Sequence, residues 1–191
     1  MTFNFDNSKK LARNKKDKSN IQKIDEKIAS LCLLLNNHND YFTTSSCSGR
    51  IVIVENEEKK QPDLFLFRTH ELISFEECKK VLEKITIKSK KLIMFKQEPP
   101  LIVVACRNKE SQWKLFSLAR NNGWKKSGIL SIDKKLLIEL FSTEQLSFPI
   151  IDNGKILVSD DFLKVIVEKA NKNLERGWKK IEKLMNTVKT R

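Results

Sequence analysis

Glycine and proline are scarce in this 191-residue chain, at five and four residues. That excludes collagen-like, linker-rich and low-complexity architectures. Five scattered glycines build neither G-x-G-x-x-G nor G-x-x-x-x-G-K-[ST], the two loops that cradle phosphates. Ordinary nucleotide hydrolysis and dinucleotide redox chemistry lose their usual motifs with them. Long apolar runs are missing too. Leu31–Leu35 and Leu101–Cys106 fall far short of the ~18 residues a membrane helix needs. The opening Met1-Thr2-Phe3-Asn4-Phe5-Asp6 lacks the basic-then-apolar order of a signal peptide. A cytoplasmic protein without a membrane partner is expected.

Metal-binding patterns are absent as well. The four cysteines, Cys32, Cys47, Cys78 and Cys106, form no C-x-x-C pair, and His38 and His70 are the only histidines. A structural zinc needs ligands delivered in close pairs, so no metal is expected. Cys32 and Cys106 sit in apolar runs and read as small buried hydrophobes. Neighbouring carboxylates such as Glu57-Glu58, Glu76-Glu77 and Asp160-Asp161 point apart on a strand and do not face each other on a helix. They read as solvated or capping groups rather than an acid/base pair.

What the chain has in excess is positive charge. Lysine and arginine number 37 against 24 acidic residues, a net charge of +13, and the pI is near 9.6. The excess is clustered in residues 1–20, 79–96 and 164–191. Such a field attracts polyanions, and nucleic acid is the expected partner.

Residues 1–20 are polar and basic without periodicity and predict a mobile arm or a frayed first helix. Residues 21–191 then read as a single α+β domain with a mostly antiparallel sheet and about four packing helices. Ile24, Ile28, Leu31, Cys32 and Leu35 mark a helix over 21–37. Residues 51–54 and 64–67 predict a hairpin around a charged tip at 55–62. Ser74 with Glu77 forms a capping box that opens a second helix. Strands are expected at 91–95 and at 101–106, the latter buried on both faces. A third helix spans about 110–121, followed by short strands at 129–132, 136–141 and 155–158. A final basic amphipathic helix is expected after Ser159 and runs to about Met185, and Gly177 is a point where it bends or is interrupted.

The most distinctive segment is Tyr41-Phe-Thr-Thr-Ser-Ser-Cys-Ser-Gly-Arg50. Ser45, Ser46 and Ser48 supply hydroxyls, Gly49 permits close backbone approach, and Arg50 can fork onto phosphate or carboxylate. It reads as a binding loop ahead of a strand. Hairpin pairing of 51–54 with 64–67 carries His70 back toward this loop.

These residues resemble the tRNA wybutosine-synthesizing protein 3 family of tRNA methyltransferases. The match is closest over Tyr41–Ile51. Echoes follow at Asp17-Lys-Ser19, Ile24-Asp25-Glu26, Thr69-His70-Glu71, Phe95–Pro99, Asn122–Ile129, Ser142-Thr143, Phe148–Ile150 and Ala170-Asn171. The resemblance implies methyl transfer from S-adenosylmethionine to N4 of a tricyclic, wyosine-type base derived from guanosine 37. That base lies in the anticodon loop of phenylalanine tRNA. It further implies a fold outside the Rossmann methyltransferases. Ser45, Ser46, Ser48, Gly49 and Arg50 are thereby assigned to substrate and cofactor binding, Ser127 and Gly128 to a second wall, and His70 to the role of base. The chain departs from the family pattern at Ile21-Gln22-Lys23, where Lys-Gly-Ser is usual. It departs again at Val103, where histidine is common, and at Phe141, where arginine is. Rival readings are a non-catalytic tRNA-binding paralogue and a basic protein-interaction domain.

Overall fold

The structure, a computed structural model, describes residues 4–14, 25–56 and 64–190. Ile21-Gln22-Lys23 and most of the expected hairpin tip lie outside these residues. The elements in chain order are α1 (Phe5–Asn14), α2 (Glu26–Asn37), β1 (Tyr41–Cys47), β2 (Arg50–Glu55), β3 (Phe65–Thr69), α3 (Phe75–Lys88) and β4 (Ile93–Glu98). There follow β5 (Leu101–Cys106), α4 (Lys109–Asn121), β6 (Gly128–Ser131), β7 (Leu136–Phe141), β8 (Leu146–Asp152), β9 (Lys155–Ile156) and α5 (Asp160–Lys189). Every strand pairing is antiparallel. The fold is α+β and not Rossmann-like, as expected. Among the described residues no helix is long and apolar enough to cross a membrane.

The chain divides into two compact units. The first holds Met1–Ser48, Pro100–Thr143 and Gly177–Arg191; the second holds Gly49–Pro99 and Glu144–Arg176.

In the first unit the sheet order is β1-β5-β7-β6. One face carries Ile102, Val104, Ile138 and Leu140, packed with Leu31 and Leu35 of α2, Leu115 of α4, Trp124 and Leu184 of α5. Among the described residues, the opposite face is covered at one end. There Phe5 of α1 packs on Phe42 and Ala105, with the two rings 5.2 Å apart. Arg107 lies 4.5 Å over the Phe5 ring and bonds the Asp6 carboxylate at 2.7 Å, which holds that carboxyl below its ordinary pKa. A helix therefore occupies 5–14, anchored by one aromatic residue. Strand β5 alternates rather than being buried throughout: Ile102 and Val104 are fully buried, whereas Leu101 and Val103 are only partly covered.

Gly177 does not break α5. A Cβ there would lie 2.7 Å from Pro100 Cδ, so the residue serves close packing within the unit.

The second unit has the order β3-β2-β4-β8-β9. The capping box on α3 is formed in both directions, Ser74 Oγ accepting from Glu77 N and Glu77 accepting from Ser74 N. Asn171 clamps the chain ahead of α3, accepting from Ile73 N at 3.2 Å and donating to Ile73 O at 2.8 Å. Buried Asn173 donates to Gln97 Oε1 at 2.8 Å, and Gln97 donates to Glu144 O at 3.1 Å. Strand β8 is absent from the sequence reading because Pro149 masks it. The ladder tolerates that proline because it pairs with Met94 beside a register shift between Ile93 and Met94, where a missing N–H costs least.

Candidate functional site

The hydroxyl-rich segment is largely strand. Ser45 and Ser46 lie in β1, Ser48-Gly49 is the connection, and Arg50 opens β2. Hydroxyl residues suit a strand when the partner ladder is strong, and β1 pairs with β5 from Tyr41↔Cys106 to Cys47↔Leu101. A register shift between Thr43 and Ser45 is stabilised by Asn36, whose Oδ1 accepts from Thr43 N at 2.7 Å.

That register assigns the serines to different surroundings. Ser45 pairs with Val103, Val103 with Glu139, and Glu139 with Gly128. Cross-strand partners share a face, so these four form one row on the less covered face of the first unit's sheet. Ser45 is exposed, Glu139 is half-buried, and neither side chain has a hydrogen-bond or ion-pair partner among the described residues. Nothing lies within 4 Å of where a Gly128 side chain would begin. Val103 and Phe141, two of the three departures from the family pattern, are on this same face, since Phe141 pairs with Leu101.

Ser46 pairs with Ile102 and so belongs to the opposite, core-packed face. Ser48 is fully buried, and both its backbone N–H, at 3.1 Å, and its hydroxyl donate to the Asp25 carboxylate. Asp25 stands at the N-cap position of α2, so Ser48 ties that helix to the end of β1. Ser127 is also committed. Its hydroxyl donates to Trp124 O at 2.7 Å and accepts from Phe141 N at 3.1 Å.

In the second unit Gly49, Arg50 and His70 come together. The pairing Ile51↔Thr69 returns His70 to the start of β2, and its Nδ1 lies 3.0 Å from Gly49 O. A carbonyl only accepts, so Nδ1 carries the proton in this contact. Gly49 has φ 99°, a conformation that favours glycine. Arg50 Nε donates to Glu98 Oε2 at 2.5 Å. Its guanidinium also lies 5.1 Å from the Phe65 ring centroid, which Arg68 approaches to 5.8 Å.

The thiols offer no nucleophile in the core. Burial pushes Cys78 up to about 11 and Cys106 up to about 12. Sequence reasoning missed roles for Asp25, Glu98 and Glu139. Asp25 and Glu98 lie in segments that echo the family pattern, and Glu139 is the lone charge within Leu136–Phe141.

Comparison with known proteins then settles the family. Residues 6–190 match the family described as Methyltransferase TYW3. The chain belongs to this family. A curated relative from Pyrococcus furiosus is 35% identical over 164 residues, covering 85% of this chain and 78% of that protein. Its name is tRNA(Phe) 7-((3-amino-3-carboxypropyl)-4-demethylwyosine(37)-N(4))-methyltransferase 2. An Archaeoglobus fulgidus methyltransferase of the same designation, without the final numeral, is 34% identical, covering 90% of this chain and 86% of its own length. The Xenopus laevis tRNA wybutosine-synthesizing protein 3 homolog is 35% identical, with coverages of 93% and 71%. A solved Pyrococcus horikoshii structure superposes with a TM-score of 0.87 at 32% identity, covering 98% of this chain and 95% of that one. One from Aeropyrum pernix gives 0.74 at 28% identity, with coverages of 87% and 98%. The methyltransferase expectation is borne out at the level of the family.

Proposed function

We propose that this chain methylates N4 of a demethylwyosine-type base at position 37 of tRNA(Phe), with S-adenosylmethionine as methyl donor and the anticodon loop as the part of the tRNA it engages. The reading is carried by the relatives so named, which match 85–90% of the chain at 34–35% identity. The net charge of +13 supports an RNA substrate.

S-adenosylmethionine supplies, when bound, a methyl carbon made electrophilic by a sulfonium. The Ser45–Val103–Glu139–Gly128 row fits such a group. Glu139 brings an unpartnered carboxylate toward positive charge or ribose hydroxyls, Ser45 brings a hydroxyl, and Gly128 leaves room beside them. His70, held at Gly49 O through Nδ1, is assigned as the base for the proton lost from the target nitrogen. Arg50, steadied by Glu98, keeps its remaining guanidinium donors for phosphate, and Gly49 orients His70 through its carbonyl. Ser48 and Ser127 act as positioning residues that fix α2 and the turn before β6, and Ser46 stands on the core-packed face of β1.

The test is direct. The purified protein, supplied with methyl-labelled S-adenosylmethionine and tRNA(Phe) carrying the unmethylated tricyclic base, is expected to transfer label to that base, read by nucleoside mass spectrometry. No transfer and no thermal shift with the donor would overturn the reading in favour of a non-catalytic tRNA-binding protein.

A further inference from the structure

One face of α4 is not used by the fold. Leu115, Leu118 and Ala119 are buried in the first unit's core, and the stripe turned away from them is Lys109, Trp113, Phe116 and Arg120, at helical spacing. Trp113 leaves 60% of its surface exposed, whereas Trp124 is fully buried and Trp178 is partly packed into the core.

The stripe is ordered rather than loose. The Trp113 and Phe116 rings lie 5.4 Å apart at 35°, and the Arg120 guanidinium sits 5.5 Å from the Phe116 centroid. Arg120 is itself held, Nη1 donating to Lys125 O at 2.8 Å. Gln112, on the buried side, donates to Ser131 O at 2.8 Å and to Leu137 O at 3.1 Å, which prevents the helix from rolling. The result is a tilted indole–phenyl–guanidinium stack on a fixed helix, open to solvent and bracketed by cations.

Charge selects the occupant. Residues 109–135 contain seven lysines and arginines against Glu110 and Asp133. A second copy of this chain would bring lysines against lysines. A single-stranded polyanion satisfies both features, since bases stack on aromatic faces while phosphates meet lysine and arginine. We propose that the outer face of α4 docks unpaired nucleotides of the RNA substrate, with one base stacked on Trp113. This rests on the tRNA reading above and adds a surface that none of the candidate site residues belongs to.

The experiment uses the full chain and an unmodified tRNA(Phe) transcript. Trp113→Ala is expected to weaken binding about tenfold, the lower part of the range for losing one base–aromatic stack. Trp113→Phe, which keeps a stacking ring, is expected to stay within about twofold. RNA should quench wild-type tryptophan fluorescence, and Trp113→Phe should abolish the quench while retaining binding. Unchanged affinity in Trp113→Ala at an unchanged melting temperature overturns the proposal. So does a quench that persists in Trp113→Phe, or a wild-type dimer that Trp113→Ala dissolves. Failure of the two readings is separable. RNA docking through Trp113 without methyl transfer sinks only the enzyme reading; transfer with an unaltered tRNA KM in Trp113→Ala sinks only the docking face.

Discussion

The two groups of candidate residues differ in how far they are already satisfied. In the second unit the polar atoms are engaged: His70 with Gly49 O, and Arg50 with Glu98 and the Phe65 ring. In the first unit Ser45 and Glu139 have no side-chain partner among the described residues, and Gly128 faces open space there. An engaged group has its orientation fixed before a ligand arrives, and this suits proton transfer and in-line alignment. An unpartnered half-buried carboxylate has lost part of its hydration without recompense, and a cationic or hydroxylated ligand restores it. The contrast assigns orientation to the His70 group and ligand capture to the Glu139 group.

The sharpest way to break that assignment is His70→Asn. A fixed base contributes ~10²–10⁴-fold, so single-turnover methylation should fall by that order while tRNA and donor affinities stay within a few-fold. A loss of affinity with intact chemistry would move His70 from proton transfer to positioning.

Next in size is the contrast between the two faces of β5. Ile102 is fully buried, and Ile102→Ala should cost about 3 kcal/mol in urea unfolding through lost burial and a cavity. Its neighbour Val103 is only partly covered, and Val103→Ala should cost ~1 kcal/mol or less. Equal losses would mean that the Ser45–Gly128 row is as closed as the core.

Much of this was legible before the structure. The capping box at Ser74, the hairpin pairing that returns His70 to Gly49, and the strands at 101–106 and 136–141 all follow from local pattern. Strand β8 was not, because Pro149 reads as a breaker until its bulge is seen. The two units were hidden because the chain passes between them four times, at Ser48, Pro99, Thr143 and Arg176. Composition along the chain therefore shows no boundary. In the candidate site the residue types were legible but their allegiance was not. Ser48 is committed to a carboxylate 23 positions earlier, and Ser127 to a strand 14 positions later. Sequence spacing carries no trace of either.

Ser127→Ala measures that allegiance. Removing the hydroxyl orphans Phe141 N, while Trp124 O keeps the Ser127 backbone N–H as donor, a loss of about 1 kcal/mol. Stability should drop while donor affinity is kept. A selective loss of S-adenosylmethionine binding at unchanged stability would instead restore Ser127 to the binding wall.

The smallest expected effect is the most discriminating. If Glu139 captures the methyl donor by charge, Glu139→Gln should weaken S-adenosylmethionine, which carries a sulfonium, more than S-adenosylhomocysteine, whose sulfur is neutral. A partly exposed charge interaction is worth ~1 kcal/mol, so the ratio of the two affinities should shift by about fivefold. Calorimetric titration of both ligands into wild type and variant isolates that ratio from general effects of the substitution, because adenosine and amino-acid contacts are common to both. Stability should hold, since Glu139 makes no side-chain bond among the described residues whose loss would be felt. An equal weakening of both ligands would make Glu139 a partner of their shared hydroxyls, keeping the row but not its charge selectivity. No weakening of either would remove the row from donor binding, and the contrast between an engaged and an awaiting group would then separate catalysis from bare surface.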